Sequence, residues 1–559
     1  MAAADFYVPE LPQAAPEVAD AYKMHSGLLP TSDTKQHMLF FWLIQAKVNQ
    51  PRDKLVIWLN GGPGCSSMDG MLLENGPFKI TDKGKVKVNP DSWVHNANML
   101  YVDQPAGTGF SIANGVFAHT QTEAATEFLG FLENFFFAFP EYKKAEASNV
   151  AMYFAGESYA GQYIPYVGHE ILKRNRNTVA QAHHMDLRGL IIGNGWIDPL
   201  RQYRAYIDYS EAHGLLQIPK YKKAADLAWD ACKAAMEKSD TIKDNRCERI
   251  VDAVQGESKE GGKMCLNMYD IRLRDKTPSD GCGMGWPPGL EATTTYLQRA
   301  DVRTALHVTH AGTWTECYNP VFSAMTDDPS PPAYKLLPDI LSEIEVTLFS
   351  GDMDFICNWM GTKEMIAELT WGGKKGFEDA PQMSWLVEDQ LKGYYQTARN
   401  LSFVLVHNAS HMVPIDEPLA SLDLFNRAIR ATSTIKSVVI DPSAIVQPGE
   451  DLQPNKPEQS EKPPVEGTPV TGGRHYYAGA VLLILMLVGL LGCGAYRMRG
   501  KMDLSAIREI VNRIRGGRSM PVRRNASNWH EVQGDEEALF VAEDLEEGVD
   551  MGNLRYPPR

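Results

Sequence analysis

Cysteine is scarce in this chain, eight residues in 559. That density excludes a disulfide scaffold as the source of the fold and makes the placement of each cysteine more informative than the total. No Cys–His spacing resembles a zinc site, so neither a metal nor another cofactor is expected. Positive charge is also short: 55 Lys and Arg against 70 Asp and Glu leave a net charge of −15, which argues against a nucleic-acid partner. The opening stretch, "MAAADFYVPELPQAAPEVAD", has no charged leader and no apolar run, and is therefore no signal peptide. Long apolar runs are missing as well, with one exception near the C-terminus. What remains, 44% hydrophobic and 22% charged residues, is an ordinary globular composition. The length suits one large domain with appendages, or several small domains.

The exception is Tyr476–Tyr496, "YYAGAVLLILMLVGLLGCGAY", uncharged throughout and with tyrosine at both ends. About twenty apolar residues span a bilayer core as a helix, and tyrosines suit its interfaces. The run predicts a single transmembrane helix with the lipid bilayer as its partner. Ahead of it, residues 441–473 are rich in Pro, Glu, Gln and Gly, a composition that cannot bury a core and predicts an extended linker. Basic segments, "RMRGK" and "RIRGGRSMPVRR", follow the span. The positive-inside rule then places the tail, residues 497–559, in the cytosol and residues 1–435 in a lumen. In that orientation Asn400-Leu-Ser and Asn408-Ala-Ser are expected glycan sites, whereas Asn525-Ala-Ser stays bare. Either the true start lies upstream of Met1 or the late span alone sets the topology; the sequons and cysteines favour the former.

The long N-terminal region repeats one pattern. Apolar runs end in polar, often glycine-bearing loops: "KLVIWLN-GGPG", "ANMLYVD-QPAG", "NVAMYFA-GESY", "LRGLIIG-NGWID", "EVTLFSG-DMD" and "LSFVLVH-NASH". Helical stretches such as "EAATEFLGFLENFFFAF" lie between them. The pattern predicts an α/β fold with a mostly parallel central sheet covered on both faces, and a polar insertion at about 200–300. In such folds chemistry gathers at the carboxyl ends of the strands.

Every candidate catalytic residue sits at such an end. "GESYA" places Ser158 at a strand-to-helix turn, close to the G-x-S-x-G nucleophile elbow but with Ala160 where the second glycine belongs. An acid and then a histidine should follow in chain order. "SGDMDF" offers Asp352 and Asp354, and "HNASHMVP" offers His407 and His411. Two aspartates two residues apart cannot both meet one imidazole, so the other is expected to cap a loop. His407 ends its strand and is expected to pack or bond locally. His411 lies in the following loop, where a base must be.

Taken together, "WLNGGPGCSS", "VDQPAGTGFS", "GESYAG", "GDMDFICNW" and "HMVPIDEP" resemble the serine carboxypeptidases, from about residue 5 to about 430. The appended linker, span and tail resemble the membrane-anchored pheromone-processing type of that family in fungi. The resemblance implies an α/β-hydrolase fold with an inserted cap region. It also implies a carboxypeptidase of the late secretory pathway, in the trans-Golgi network membrane, acting on peptides and proproteins with basic C-termini. It matches Ser158 to the nucleophile, Asp354 to the acid and His411 to the base. Gly62 and Tyr159 match the backbone donors of the oxyanion hole, where glycine lets the backbone approach substrate. Trp58, Asn60, Glu74 and Glu157 match the group that holds the substrate's terminal carboxylate. Two glutamates beside that carboxylate repel it unless a proton is shared among them. The absence of a zinc site counts against a metallocarboxypeptidase, while an acyltransferase on the same fold is the competing reading.

The resemblance also pairs Cys65 with Cys317. Cys232 with Cys247 and Cys265 with Cys282 are the simplest local pairings, leaving Cys357 as a free thiol near the active site and Cys493 in the membrane. By resemblance Asp69, with Met412, borders the pocket for the released residue, where an acid would attract Lys or Arg.

Overall fold

The computed structural model describes residues 2–444 apart from 35, 47–52, 144–149, 178–183, 240, 263, 276–284, 286, 309, 311 and 379. The expected linker beyond residue 444, the span at 476–496 and the tail lie outside the described residues, as do Cys282, Cys493 and Asn525. Among the described residues no helix is long and apolar enough to cross a membrane.

Twelve strands form the main sheet. In chain order they are β1 (Tyr7–Val8), β2 (Tyr22–Pro30), β3 (Met38–Ala46), β4 (Lys54–Leu59), β5 (Asn98–Val102), β6 (Ala151–Glu157), β7 (Leu187–Gly193), β8 (Glu345–Gly351), β9 (Met383–Val387), β10 (Gln390–Ala398), β11 (Leu401–Val406) and β12 (Ser437–Ile440). Across the sheet the order is β1-β2-β3-β5-β4-β6-β7-β8-β11-β10-β9-β12. The six apolar runs singled out in the sequence are the six central strands, β5 to β11 in spatial order. All five pairings among them are parallel. The six pairings outside that block are antiparallel. The sheet is therefore mixed rather than mostly parallel, because a hairpin-linked set of strands extends each edge. The last strand ends at Ile440, five residues beyond the boundary expected at 435.

Both faces of the central block are covered. Leu55, Ile57 and Leu59 of β4 join one core, Val56 and Trp58 the other, as the period-2 pleat requires. On the first face lies α1 (Gln121–Ala138), capped by Thr120 Oγ1 accepting from the Glu123 N–H at 3.1 Å. Its Phe128, Phe131 and Phe135, at helical spacing, are fully buried against the strands. Burying each such ring is worth about 1.5–3 kcal/mol, and Phe131→Ala would cost about 3–5 kcal/mol. The next helix, α2 (Ala160–Asn177), follows β6 and packs on the same face. The insertion contributes α3 (Pro199–Ala212), α4 (Pro219–Ser239) and α5 (Asn245–Ser258). They close over a separate core of Tyr203, Tyr206, Ile250, Val254 and Phe355, with the Cys232–Cys247 disulfide joining α4 to α5. Finally α6 (Pro418–Ala428) covers the second face, where Phe425 stacks on Trp93 at 4.2 Å.

Candidate active site

The turn between β6 and α2 holds Ser158 at φ 61°, in the left-handed region that few non-glycine residues occupy. Its N–H donates to the carbonyls of Gly193 (3.1 Å) and Asn194 (3.2 Å), and its carbonyl accepts from Gly161 N (2.9 Å) and Trp196 N (2.8 Å). Such over-determination is what sustains a strained turn. A Cβ on Gly156 would lie 2.2 Å from Leu59 O, and one on Gly161 would lie 2.8 Å from Trp196 N. The close approach that demands glycine falls at 161, so Ala160 is accommodated, its methyl lying where Gly156 has no side chain.

Asp354 follows β8, fully buried, and four donors converge on it. They are His411 Nδ1 (2.9 Å), Asn194 Nδ2 (2.8 Å), Cys357 N (3.2 Å) and Ile356 N (3.1 Å). With its other contacts all donors, Asp354 accepts from the imidazole as well, which puts the ring proton on Nδ1 and leaves the Nε2 lone pair free. Ser158 and His411 open into one cavity of about 260 Å³. Asp352 does not cap a loop, as expected from sequence, but meets His407 Nδ1 at 3.1 Å. The two Asp/His pairs thus sort themselves in order along neighbouring strand ends, and the outer pair is partly exposed. Cys357 is a buried free thiol in contact with Ser158, and burial raises its pKa. Its sulfur, an Asp354 oxygen and a His411 nitrogen lie within 4.8 Å of one another.

Gly61 and Gly62 line the cavity opposite Ser158. A Cβ on Gly61 would stand 2.4 Å from Tyr159 N, and Gly62 sits at φ 109°. Only glycine permits backbone donors so close to the nucleophile. The loop is held by the second motif: Asp103 accepts from Ser66 Oγ (2.7 Å), Ser67 N (2.9 Å) and Phe110 N (2.9 Å). Burial pushes the Asp103 carboxyl up to about 6 despite these donors. The Cys65–Cys317 disulfide ties the loop to a distant segment, in the pairing expected from resemblance. Cys265 is also disulfide-bonded.

Four further acids gather beside the nucleophile. Asn60 Nδ2 donates to Glu157 Oε1 at 3.0 Å, while Asn60 Oδ1 accepts from Trp58 Nε1 at 2.7 Å and Gly70 N at 3.2 Å. Trp58 is fully buried behind Asn60 and orients it. Glu74 ends a short π-helix, Gly70–Glu74, so it does not cap a helix start. It lies against Glu157 and Asn60, yet neither of its oxygens makes a well-formed hydrogen bond. Burial raises Glu74 to about 7, and burial together with the Glu74 charge drives Glu157 well above the carboxylate range. Asp69 is 1% exposed and caps nothing, and its Oδ1 is buried without a partner. Burial, then the charges of Glu316, Glu74 and Asp103, raise its pKa well above normal. Glu316, raised by burial to about 7, lines the same cavity, as do Asp69, Glu157 and Met412.

Of the expected residues, Asn60, Gly62, Asp69, Glu157, Ser158, His411 and Met412 line one cavity, whereas Trp58, Glu74, Tyr159, Asp354 and Cys357 are not part of its lining. Asn194, Asp103, Tyr269 and Glu316 went unread in the sequence. Asp103 and Asn194 lay inside strand-end motifs already singled out, and Glu316 beside Cys317, but none was given a role; Tyr269 had no signal. The two sequon asparagines are exposed: Asn400 Nδ2 donates to Leu341 O at 3.0 Å, and Asn408 accepts from Arg272 through Oδ1, not through the nitrogen a glycan would take.

The serine carboxypeptidase family profile matches residues 12–431. The pheromone-processing carboxypeptidase KEX1 of Coccidioides posadasii is 46% identical over 440 residues, covering 76% of this chain and 67% of that protein. Its namesake from Uncinocarpus reesii is 39% identical over 100% of this chain and 89% of its own length. The crystal structure of Kex1Δp, a prohormone-processing carboxypeptidase from Saccharomyces cerevisiae, superposes with a TM-score of 0.71. It is 34% identical and covers 79% of this chain and 100% of that one.

Proposed function

The chain belongs to the serine carboxypeptidase family, and from that premise we propose which residues carry the reaction and what it selects. Ser158 Oγ attacks the carbonyl of the last peptide bond while His411 Nε2 takes its proton. Asp354 holds the imidazole tautomer and stabilises the cation that forms. The N–H groups of Gly62 and Tyr159 stabilise the oxyanion. His411 then protonates the departing amine, and water, activated by the same base, hydrolyses the acyl-enzyme. Asn60, Glu157 and Glu74 receive the substrate's terminal carboxylate, with Trp58 fixing Asn60.

The observation that carries this reading is the pair Asn60 and Glu157, hydrogen-bonded to each other in the cavity that Ser158 lines, with Glu74 against both of them. A carboxylate cannot enter next to two ionised acids. Two buried acids of raised pKa that retain a proton can instead donate a hydrogen bond to it. An esterase or an acyltransferase has no need of this arrangement.

The released residue is preferentially Lys or Arg. Asp69, Glu316 and Met412 border the place it occupies. Burial and neighbouring acids raise the Asp69 pKa; an incoming guanidinium or ammonium pairs with the Asp69 carboxylate, and any proton on it passes to water. Glycans at Asn400 and Asn408, a linker after the last strand, one membrane helix at 476–496 and a cytosolic tail complete the reading: a type I enzyme of the trans-Golgi network with its catalytic domain in the lumen. The full-length alignment with the Uncinocarpus reesii relative supports this organisation. Incubating the luminal fragment with short peptides and following products by mass spectrometry tests the reaction. Single C-terminal residues should be lost, and Ser158→Ala should abolish the loss. Internal cleavage, or activity surviving in the variant, would refute the assignment.

A further inference from the structure

The insertion returns to the active site through one short segment, residues 267–272. On one side Met268 O accepts from Phe355 N (3.2 Å) and Ile356 N (3.0 Å), and Ile271 N donates to Met353 O (3.0 Å). These three bonds bracket Asp354. On the other side Tyr269 O accepts from His411 N at 3.0 Å, and the Tyr269 ring packs 5.1 Å from the imidazole. The same few residues therefore fix the backbones of both Asp354 and His411, whose side chains must meet at 2.9 Å.

Arg272 completes the grip. Its Nε and Nη2 form a two-pronged bond to Asp270, 2.8 Å each, which holds the guanidinium in a single orientation. Nη1 then donates to the carbonyl and to the side-chain oxygen of Asn408, both at 2.9 Å. Nη2 also meets Asp416 at 3.2 Å, and Asp416 accepts from Ser410 N at 2.7 Å. The arginine thus reaches residues on both sides of His411, Asn408 before it and Asp416 after it, and Asp416 in turn holds the Ser410 N–H.

We propose that Arg272 is a positioning residue for His411, setting the imidazole against Asp354 and Ser158 by clamping the 408–416 loop to the insertion. The proposal rests on the reading of His411 as the base. A rigid fork is required, because lysine offers one point charge where three partners must be held in a plane. Displacing a catalytic group by about 1 Å from a distance can cost about a hundredfold in rate.

The test compares Arg272→Met, Arg272→Lys and Asp416→Asn in the luminal enzyme, with active sites counted by a fluorophosphonate that labels Ser158. Arg272→Met should lower kcat per labelled site by about tenfold to a hundredfold with KM changed by less than about threefold. Labelling should slow in parallel, and Arg272→Lys should recover part of the loss. If Arg272→Met lowers the melting temperature while kcat per labelled site stays at the wild-type value, the arginine only stabilises the fold and the proposal is overturned. Should Arg272→Met fail to fold, wild-type kcat in both other variants overturns it equally. His411→Ala serves as the control: full activity there would defeat the base assignment, whatever the Arg272 series gives.

Discussion

The two sides of the site around Ser158 use carboxyl groups in opposite ways. At one end Asp354 is met by four donors, and its partner histidine is locked in one tautomer. At the other, Asp69 and Glu74 are just as deeply buried, but Glu74 has no well-formed partner and Asp69 leaves an oxygen unpaired. Burial is equal, but the surroundings differ: donors crowd Asp354, whereas other acids surround Asp69 and Glu157. An acid supplied with donors can orient an imidazole, whereas burial without donors raises a carboxyl's pKa and favours its protonated form. The first arrangement is complete before binding, and the second is completed by the ligand.

If that contrast holds, damage at the donor-rich end should ignore the substrate's identity. Asp354→Asn should lower kcat by about 10⁴-fold for peptides and esters alike, through the wrong imidazole tautomer. A loss confined to peptides in steady-state assays would mean that the two ends are not separate.

Cys357 touches Ser158, so filling its sulfur with a bulky mercurial should remove activity on every substrate from the modified fraction. Full activity after modification confirmed by mass spectrometry would break the placement.

The acid end should instead discriminate. Glu157→Leu should cut kcat/KM for peptides by about a hundredfold, the scale for leaving the substrate's buried carboxylate unpaired, while substrates lacking a terminal carboxylate lose far less. Glu74 is raised to about 7. The shared proton is therefore present in mild acid and lost as pH rises through about 7, so peptidase activity should fall there while esterase activity persists. Peptidase rates that continue to climb into alkaline solution would contradict the shared proton.

The smallest effect should also be the most selective. Asp69→Asn should weaken release of C-terminal Arg by about 2 kcal/mol, or some thirtyfold, and leave release of C-terminal Leu nearly unchanged. An equal fall for both would make Asp69 a support of the loop and shift the selection of basic residues to Glu316.

Sequence position alone could read Ser158 and prefer His411 to His407, but it left Asp352 and Asp354 undecided. Asp352 and His407 carry the same chemistry at nearly the same places. The pairing was decided by the strand ends, where β8 and β11 lie parallel and in register, Gly351 opposite Val406. Asn194 was unreadable because an amide in a loop announces nothing until β7 brings it beside Asp354. Tyr269 and Arg272 were unreadable for the same reason, more than 80 positions before the residues they hold.

The sequence by itself determined the central strands, the helices that cover them and the glycine-bearing turns. Each of these depends on contacts made over a few residues, or on an apolar run buried on both faces. The antiparallel edges escaped it, since strands such as Gln390–Ala398 are mostly half-buried or exposed and carry polar residues that read as loop. Only the tertiary structure decided which acids would hold their protons. A carboxyl group's charge is set by how many donors and how much water surround it, and here both were fixed by residues far apart in the chain.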